Sequence, residues 1–300
     1  MLIYLLVVLS VPLCAEAIFG GEDVTKAYEY PWMVWLDIKF KSGRSSCSGN
    51  IISKNKILTA AHCILNESEE FAESVNVISG HLNMCSNEAI IIPVGKILSH
   101  PEYDFRPFPN ISNDLAILEL TQNLSYSNTI KAINLPSQNY TDENLIKKQT
   151  KFSVVGWGRT ENNTTGNLKK IEVLLQETEK CITDNENSFR RLPRYSSYTF
   201  GFTTIPSNKW VCASGFIPHE QGACFGDSGG PLMMKNTQND NEYEIIGVLS
   251  FIESCESLEP DVYVRVSEYM PWIERNLENF VDPHVVLATF EDSRKPIKNN

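Results

Sequence analysis

Between residue 18 and about residue 272, apolar and polar positions alternate in short runs repeatedly broken by Gly, Pro, Asn, Asp and Ser. Period-two runs suit half-buried strands, whose successive side chains point to opposite faces, and the frequent breakers leave little room for long helices. Residues 32–39, 51–58, 115–120, 152–157 and 244–251 are the clearest of these predicted strands. Many short strands at this spacing predict an all-β sandwich or barrel. One helix is predicted near the end, over 266–276, where Tyr269, Trp272 and Ile273 fall on one face. Residues 281–300 follow as a polar tail, and no internal repeat is visible.

The first residues change the picture of where such a chain works. Residues 2–13 are almost wholly apolar and precede the small-residue triplet Ala15-Glu16-Ala17, the pattern of a cleavable secretory signal over residues 1–17. The run is too short to cross a bilayer comfortably, and no other apolar run reaches spanning length, so no membrane association is expected once the signal is removed. Eight cysteines agree with an oxidising, secreted or granule-stored destination. Six N-x-Ser/Thr sequons, at Asn66, Asn110, Asn123, Asn139, Asn162 and Asn163, are candidate glycosylation sites. The balance of 26 basic against 37 acidic residues, net charge -11, contains no basic stretch of the kind that binds nucleic acid.

Three segments supply chemistry. Thr59-Ala60-Ala61-His62-Cys63 holds a histidine beside a cysteine, a rigid mount for a general base. Asn113-Asp114-Leu115-Ala116-Ile117-Leu118 puts one carboxylate at the head of an apolar strand, where burial makes it an acceptor for an imidazole. Gly226-Asp227-Ser228-Gly229-Gly230-Pro231 sets a serine in a glycine-rich turn, whose backbone N–H groups are able to converge on an oxyanion. Serine is a weak nucleophile at neutral pH, so it needs a base within reach and a third group to fix the tautomer of that base.

With these motifs in the order His, Asp, Ser, the sequence resembles the chymotrypsin and trypsin family of serine proteases over about residues 18–277. Cys47-Ser48-Gly49, His100-Pro101-Glu102-Tyr103, Gly156-Trp157-Gly158 and Val262-Tyr263-Val264-Arg265-Val266 add to the likeness. The resemblance implies two packed six-stranded antiparallel β-barrels with a C-terminal helix, in a protease domain over 18–280. It implies His62 as general base and then acid, Asp114 as its orienter, and Ser228 as the acyl-forming nucleophile, with the N–H groups of Gly226 and Ser228 as the oxyanion hole. It also implies a monomer with protein or peptide substrates, protein protease inhibitors as partners, and no cofactor. No metal is expected, since none of the five histidines falls in a ligand-spaced pair.

In this family a new amino terminus folds inward and pairs with the aspartate before the nucleophile. Ile18-Phe19-Gly20-Gly21 and Asp227 occupy those places. A buried ammonium or carboxylate is unfavourable without the other, so Ile18 and Asp227 are expected to act as a latch. No Lys or Arg precedes Ile18; signal cleavage after Ala17 would free it directly, and cleavage after Ala15 would leave the dipeptide Glu16-Ala17. The resemblance further pairs Cys47 with Cys63, Cys181 with Cys212 and Cys224 with Cys255. Cys14 leaves with the signal, and Cys85 is then odd: free, capped or joined to another chain, with a buried inert thiol as the favoured reading.

The family's pocket base lies at Gly222, followed by Ala223, where trypsin-like members carry an Asp, so ordinary trypsin specificity is not expected. The wall Ser250-Phe251-Ile252 replaces an open glycine with Ile252, which narrows the mouth as in elastase-like members. Asp261 replaces a second wall glycine and favours a basic or amide-bearing group instead. Small aliphatic and mixed basic preference both stay open. The stretch between Cys181 and Cys212 is longer than usual and contains Arg190, Arg191, Arg194, Tyr195 and Tyr198, either an exosite for an acidic partner or a solvated insertion. The alternative to an active protease is a protease-like binding protein whose pocket is choked by Ile252 and Asp261. An α/β-hydrolase esterase would show the order Ser, Asp, His and a Gly-x-Ser-x-Gly elbow, neither of which is present.

Overall fold

The computed structural model describes residues 18–66, 70–103, 112–137, 142–159, 166–191, 207–217, 220–236, 242–277 and 286–289. Its strands are β1 (Glu22–Asp23), β2 (Met33–Lys39), β3 (Arg44–Ile51), β4 (Lys56–Thr59), β5 (Ser74–Ser79), β6 (Ile90–Ser99) and β7 (Ala116–Leu120) in the first half. The second half adds β8 (Lys151–Gly156), β9 (Lys169–Gln176), β10 (Trp210–Gly215), β11 (Pro231–Lys235), β12 (Tyr243–Phe251), β13 (Asp261–Arg265) and β14 (Val286–Thr289). The helices are α1 (Asp142–Lys147), α2 (Thr178–Arg191) and α3 (Met270–Leu277).

All strand pairings are antiparallel, and each half closes on itself. In the first barrel the order runs β5-β2-β3-β4-β7-β6, and the first part of β6 returns to β5. In the second it runs β9-β10-β13-β12-β11-β8, closed by the pairing of β8 with β9. β1 adds to β9 and β14 to β6. These are the two six-stranded barrels that the resemblance implies, with α3 as the C-terminal helix.

The alternation that predicted strands is the alternation that fills the barrels. Val34, Leu36 and Ile38 of β2 are fully buried, as are Ile57 and Leu58 of β4. Burying each such side chain contributes about 1.5–3 kcal/mol. Tyr269, Trp272 and Ile273 are buried against the first barrel's core, and His100 packs edge-on to the Tyr269 ring at 5.3 Å. The second barrel's own core contains Ile18, Phe152, Val173, Leu175, Val211 and Tyr263.

Two expectations change, and two further elements appear. Residues 51–58 are not one strand: β3 ends at Ile51 and β4 begins at Lys56, with Ile51 and Ile57 paired across the turn. The predicted helix starts as a tight 3-10 turn over Val266–Tyr269 before becoming α3. α2 occupies the start of the long insertion; the side chains of Arg190 and Arg191, and all of Arg194, Tyr195 and Tyr198, lie outside the described residues. Within the tail, Val286–Thr289 forms a strand that pairs with Lys96–Ser99 of β6.

Candidate active site

The imidazole-bearing turn is held by burial on both sides. Ala60 and Ala61 are fully buried, and Cys63 is bonded to Cys47 of β3, so the 3-10 turn Ala61–Cys63 after β4 has little freedom. His62 is one-third exposed, whereas Asp114 is buried at the head of β7. The Asp114 carboxylate accepts the His62 backbone N–H at 2.8 Å through Oδ1. Its Oδ2 lies 2.7 Å from His62 Nδ1 and accepts the Ser250 hydroxyl at 2.6 Å. A carboxylate surrounded by donors only accepts, so Nδ1 carries the hydrogen and Nε2 is left as the basic nitrogen. Ser250, read from sequence as pocket wall, thus serves the carboxylate.

The Ser228 turn is fastened to the strands that carry His62. Ser48 of β3 donates its N–H to the Ser228 carbonyl at 2.8 Å, and Asn50 Nδ2 donates to the Gly229 carbonyl at 2.9 Å. Gly229 has φ +79°, and a Cβ there would stand 2.1 Å from Thr59 Oγ1, so only glycine fits between this turn and β4. Gly226 has φ +104°. Among the described residues, the N–H groups of Gly226 and Ser228 donate to no acceptor, and the Ser228 hydroxyl makes no hydrogen bond to His62 or elsewhere. The two donors are thereby available to an added oxygen.

The chain ahead of this turn meets the amino-terminal segment. Ile18 is fully buried, Phe19 forms a bridge with Gly222, and Gly222 N–H donates to the Phe19 carbonyl at 3.3 Å. The Asp227 carboxylate is buried, accepting the N–H groups of Gly158 at 2.7 Å and Cys224 at 2.9 Å. Burial pushes its pKa up to about 7. In the uncut chain Ile18 has an amide nitrogen, and no hydrogen bond joins it to Asp227 among the described residues.

A Cβ built on Gly222 would stand 3.8 Å from the Cys255 carbonyl oxygen and 4.0 Å from Asp261 Oδ2. Asp261 is buried in β13, with Oδ2 accepting the Ala223 N–H at 3.0 Å. Burial pushes its pKa up to about 7, with the neighbouring Asp227 charge adding to the rise. Ile252 is half-buried against the second core, and Phe251 sits at the β12 irregularity beside Val262.

The three disulfides Cys47–Cys63, Cys181–Cys212 and Cys224–Cys255 are formed as the resemblance implies. Cys85 departs from expectation: it is exposed and disulfide-bonded, not a buried thiol, and its partner lies outside the described residues. The sulfurs of Cys47 and Cys63 lie with His62 in a compact group, but a disulfide offers no thiolate to a metal. Asn123 is exposed and Asn66 half-buried; Asn110, Asn139, Asn162 and Asn163 lie outside the described residues. Sequence reasoning missed Ser48, Asn50 and Thr59, whose fastening role depends on a fold that brings residues 50 and 229 together.

A family model described as Trypsin matches residues 18–273. The chain is 32% identical over 292 residues to Melanization protease 1 of Drosophila melanogaster, covering 89% of this chain and 68% of that protein. It is 29% identical over 284 residues to Duodenase-1 of Bos taurus, covering 93% and 97%. The solved structure of HL collagenase superposes with a TM-score of 0.67 at 28% identity, over 88% of this chain and 100% of that one.

Proposed function

Since the chain belongs to the trypsin family of serine proteases, we propose that it is a secreted serine endopeptidase that cuts peptide bonds through an acyl-enzyme on Ser228. The observation that carries this reading is the buried Asp114 carboxylate with His62 N–H, His62 Nδ1 and Ser250 Oγ on its two oxygens. That arrangement fixes one tautomer, so Nε2 takes the Ser228 proton as Oγ attacks the substrate carbonyl. The carbonyl oxygen gains charge and is met by the N–H groups of Gly226 and Ser228. His62 then gives the proton to the leaving amine, and water repeats the sequence on the acyl-enzyme.

Release of Ile18 as an amine, at the end of a 1–17 signal or after loss of Glu16-Ala17, supplies the ammonium that Asp227 lacks in the uncut chain. The expected substrates are proteins or peptides with a small aliphatic or a basic side chain at the cut. Ile252 supports the first, because it occupies wall space against the core. Asp261 supports the second, although its carboxylate already has a backbone partner.

The test is fluorophosphonate labelling and peptide hydrolysis by protein starting at Ile18. Ser228→Ala is expected to lose labelling completely and to hydrolyse peptides about 10⁴- to 10⁶-fold more slowly. Absence of labelling in the parent protein would instead favour a binding protein with a blocked pocket.

A further inference from the structure

Asn113, immediately before Asp114, has φ +54°, one of two non-glycine residues with positive φ among the described residues. Asn tolerates this left-handed conformation better than most residues, but it still needs support from its surroundings. The support comes from both halves of the chain. Asn113 Nδ2 donates to the Glu102 carbonyl at 3.1 Å, on the first-barrel side. Its Oδ1 accepts Lys209 Nζ at 3.1 Å and the Tyr269 hydroxyl at 3.0 Å. Lys209 ends the turn before β10 and Tyr269 ends the turn before α3, and the ammonium also lies 5.3 Å from the centre of the Tyr269 ring.

Two donors on one oxygen and one acceptor at the nitrogen leave the amide a single orientation. Asn113 is buried, so freeing its amide from these partners leaves unpaired polar groups out of water, which is costly. The Leu115 N–H donates to the Asn113 carbonyl at 2.7 Å, a tight turn whose middle residue is Asp114. Any relaxation of Asn113 therefore moves the carboxylate that His62 depends on.

We propose that Asn113 is a positioning residue for Asp114, clamped by Lys209 and Tyr269 so that the second half of the chain sets the aim of a carboxylate rooted in the first barrel. The proposal rests on the reading of Asp114 as the orienter of His62. Misplacement of a reacting constellation by even an ångström costs on the order of 100-fold in rate, so a partial loosening should be visible in turnover and not in substrate binding.

The experiment compares Lys209→Met, Tyr269→Phe and their combination with the parent, using protein starting at Ile18 and rates normalised by active-site titration. Each single variant is expected to lower kcat about 3- to 30-fold with KM within about two-fold, and Lys209→Arg to recover most of the loss. Asn113→Gly keeps the backbone conformation without the amide, and should show the same kcat-selective loss. If the combined variant fails to fold, the single variants and Asn113→Gly decide. Variants with parental kcat, or with losses confined to KM, overturn the clamp. Asp114→Asn is measured alongside: if it retains activity, the triad reading fails irrespective of Lys209 and Tyr269.

Discussion

Asp227 and Asp261 are both buried carboxyls with pKa values pushed up to about 7, against 3.8 for an ordinary Asp. Between those limits the folded chain holds protons that the unfolded chain has released, so the contribution of these groups to stability is complete below about pH 3.8 and is lost as pH rises through 7. The uncut chain should therefore become progressively less stable as pH rises across that window. On the proposed latch, freeing Ile18 would put a cation at Asp227 and cancel its share, and Asp261→Asn would cancel the rest. Thermal unfolding of the cut and uncut forms at several pH values checks both, and a slope unchanged by Asp261→Asn would refute the assignment. The same variant, screened on a positional peptide library, should lose any preference for Lys or Arg at the cut while keeping its small aliphatic substrates.

The elements divide into those that write themselves in the apolar pattern and those that do not. β2, β7, β8 and β12 fall within a residue of the predicted runs, because each buries a continuous apolar face inside a barrel. The β3–β4 hairpin was blurred because Ile51, Ile52, Ile57 and Leu58 flank a turn of only a few polar residues. α2 leaves no apolar stripe to read. Its buried residues among the described side chains are Thr178, Cys181, Ile182, Asn185 and Glu186, and it is docked by the Cys181–Cys212 bond and by polar side chains. Asn185 Nδ2 donates to the Pro260 carbonyl at 3.0 Å, next to Asp261, and Ser188 donates to Glu253 at 3.1 Å. This helix braces the segment carrying Ile252 and Asp261. Asn185→Ala should destabilise the fold by about 1–3 kcal/mol, by stranding the Pro260 carbonyl, and should raise KM more than it lowers kcat. Melting curves and steady-state kinetics together separate this from a defect confined to folding.

At the scale of the molecule, the two barrels share one apolar core through Val155, Met233, Val248, Val264 and Trp272, and the site is assembled where they meet. His62 and Asp114 stand on the first barrel, Ser228 and Ser250 on the second. The motifs around His62, Asp114 and Ser228 were legible because short local patterns carry them. Their fastening by Ser48, Asn50 and Lys209 was not, since those residues look ordinary until closure brings distant segments together. The last strand has a consequence of its own. Val286–Thr289 covers the outer row of amides and carbonyls from Lys96 to Ser99. Ending the chain at residue 277 would uncover that row as a template for a neighbouring molecule's strand. Sedimentation of the shortened protein should then reveal more concentration-dependent self-association than the full chain shows, and equal behaviour of the two at high concentration would mean that the terminal strand protects nothing.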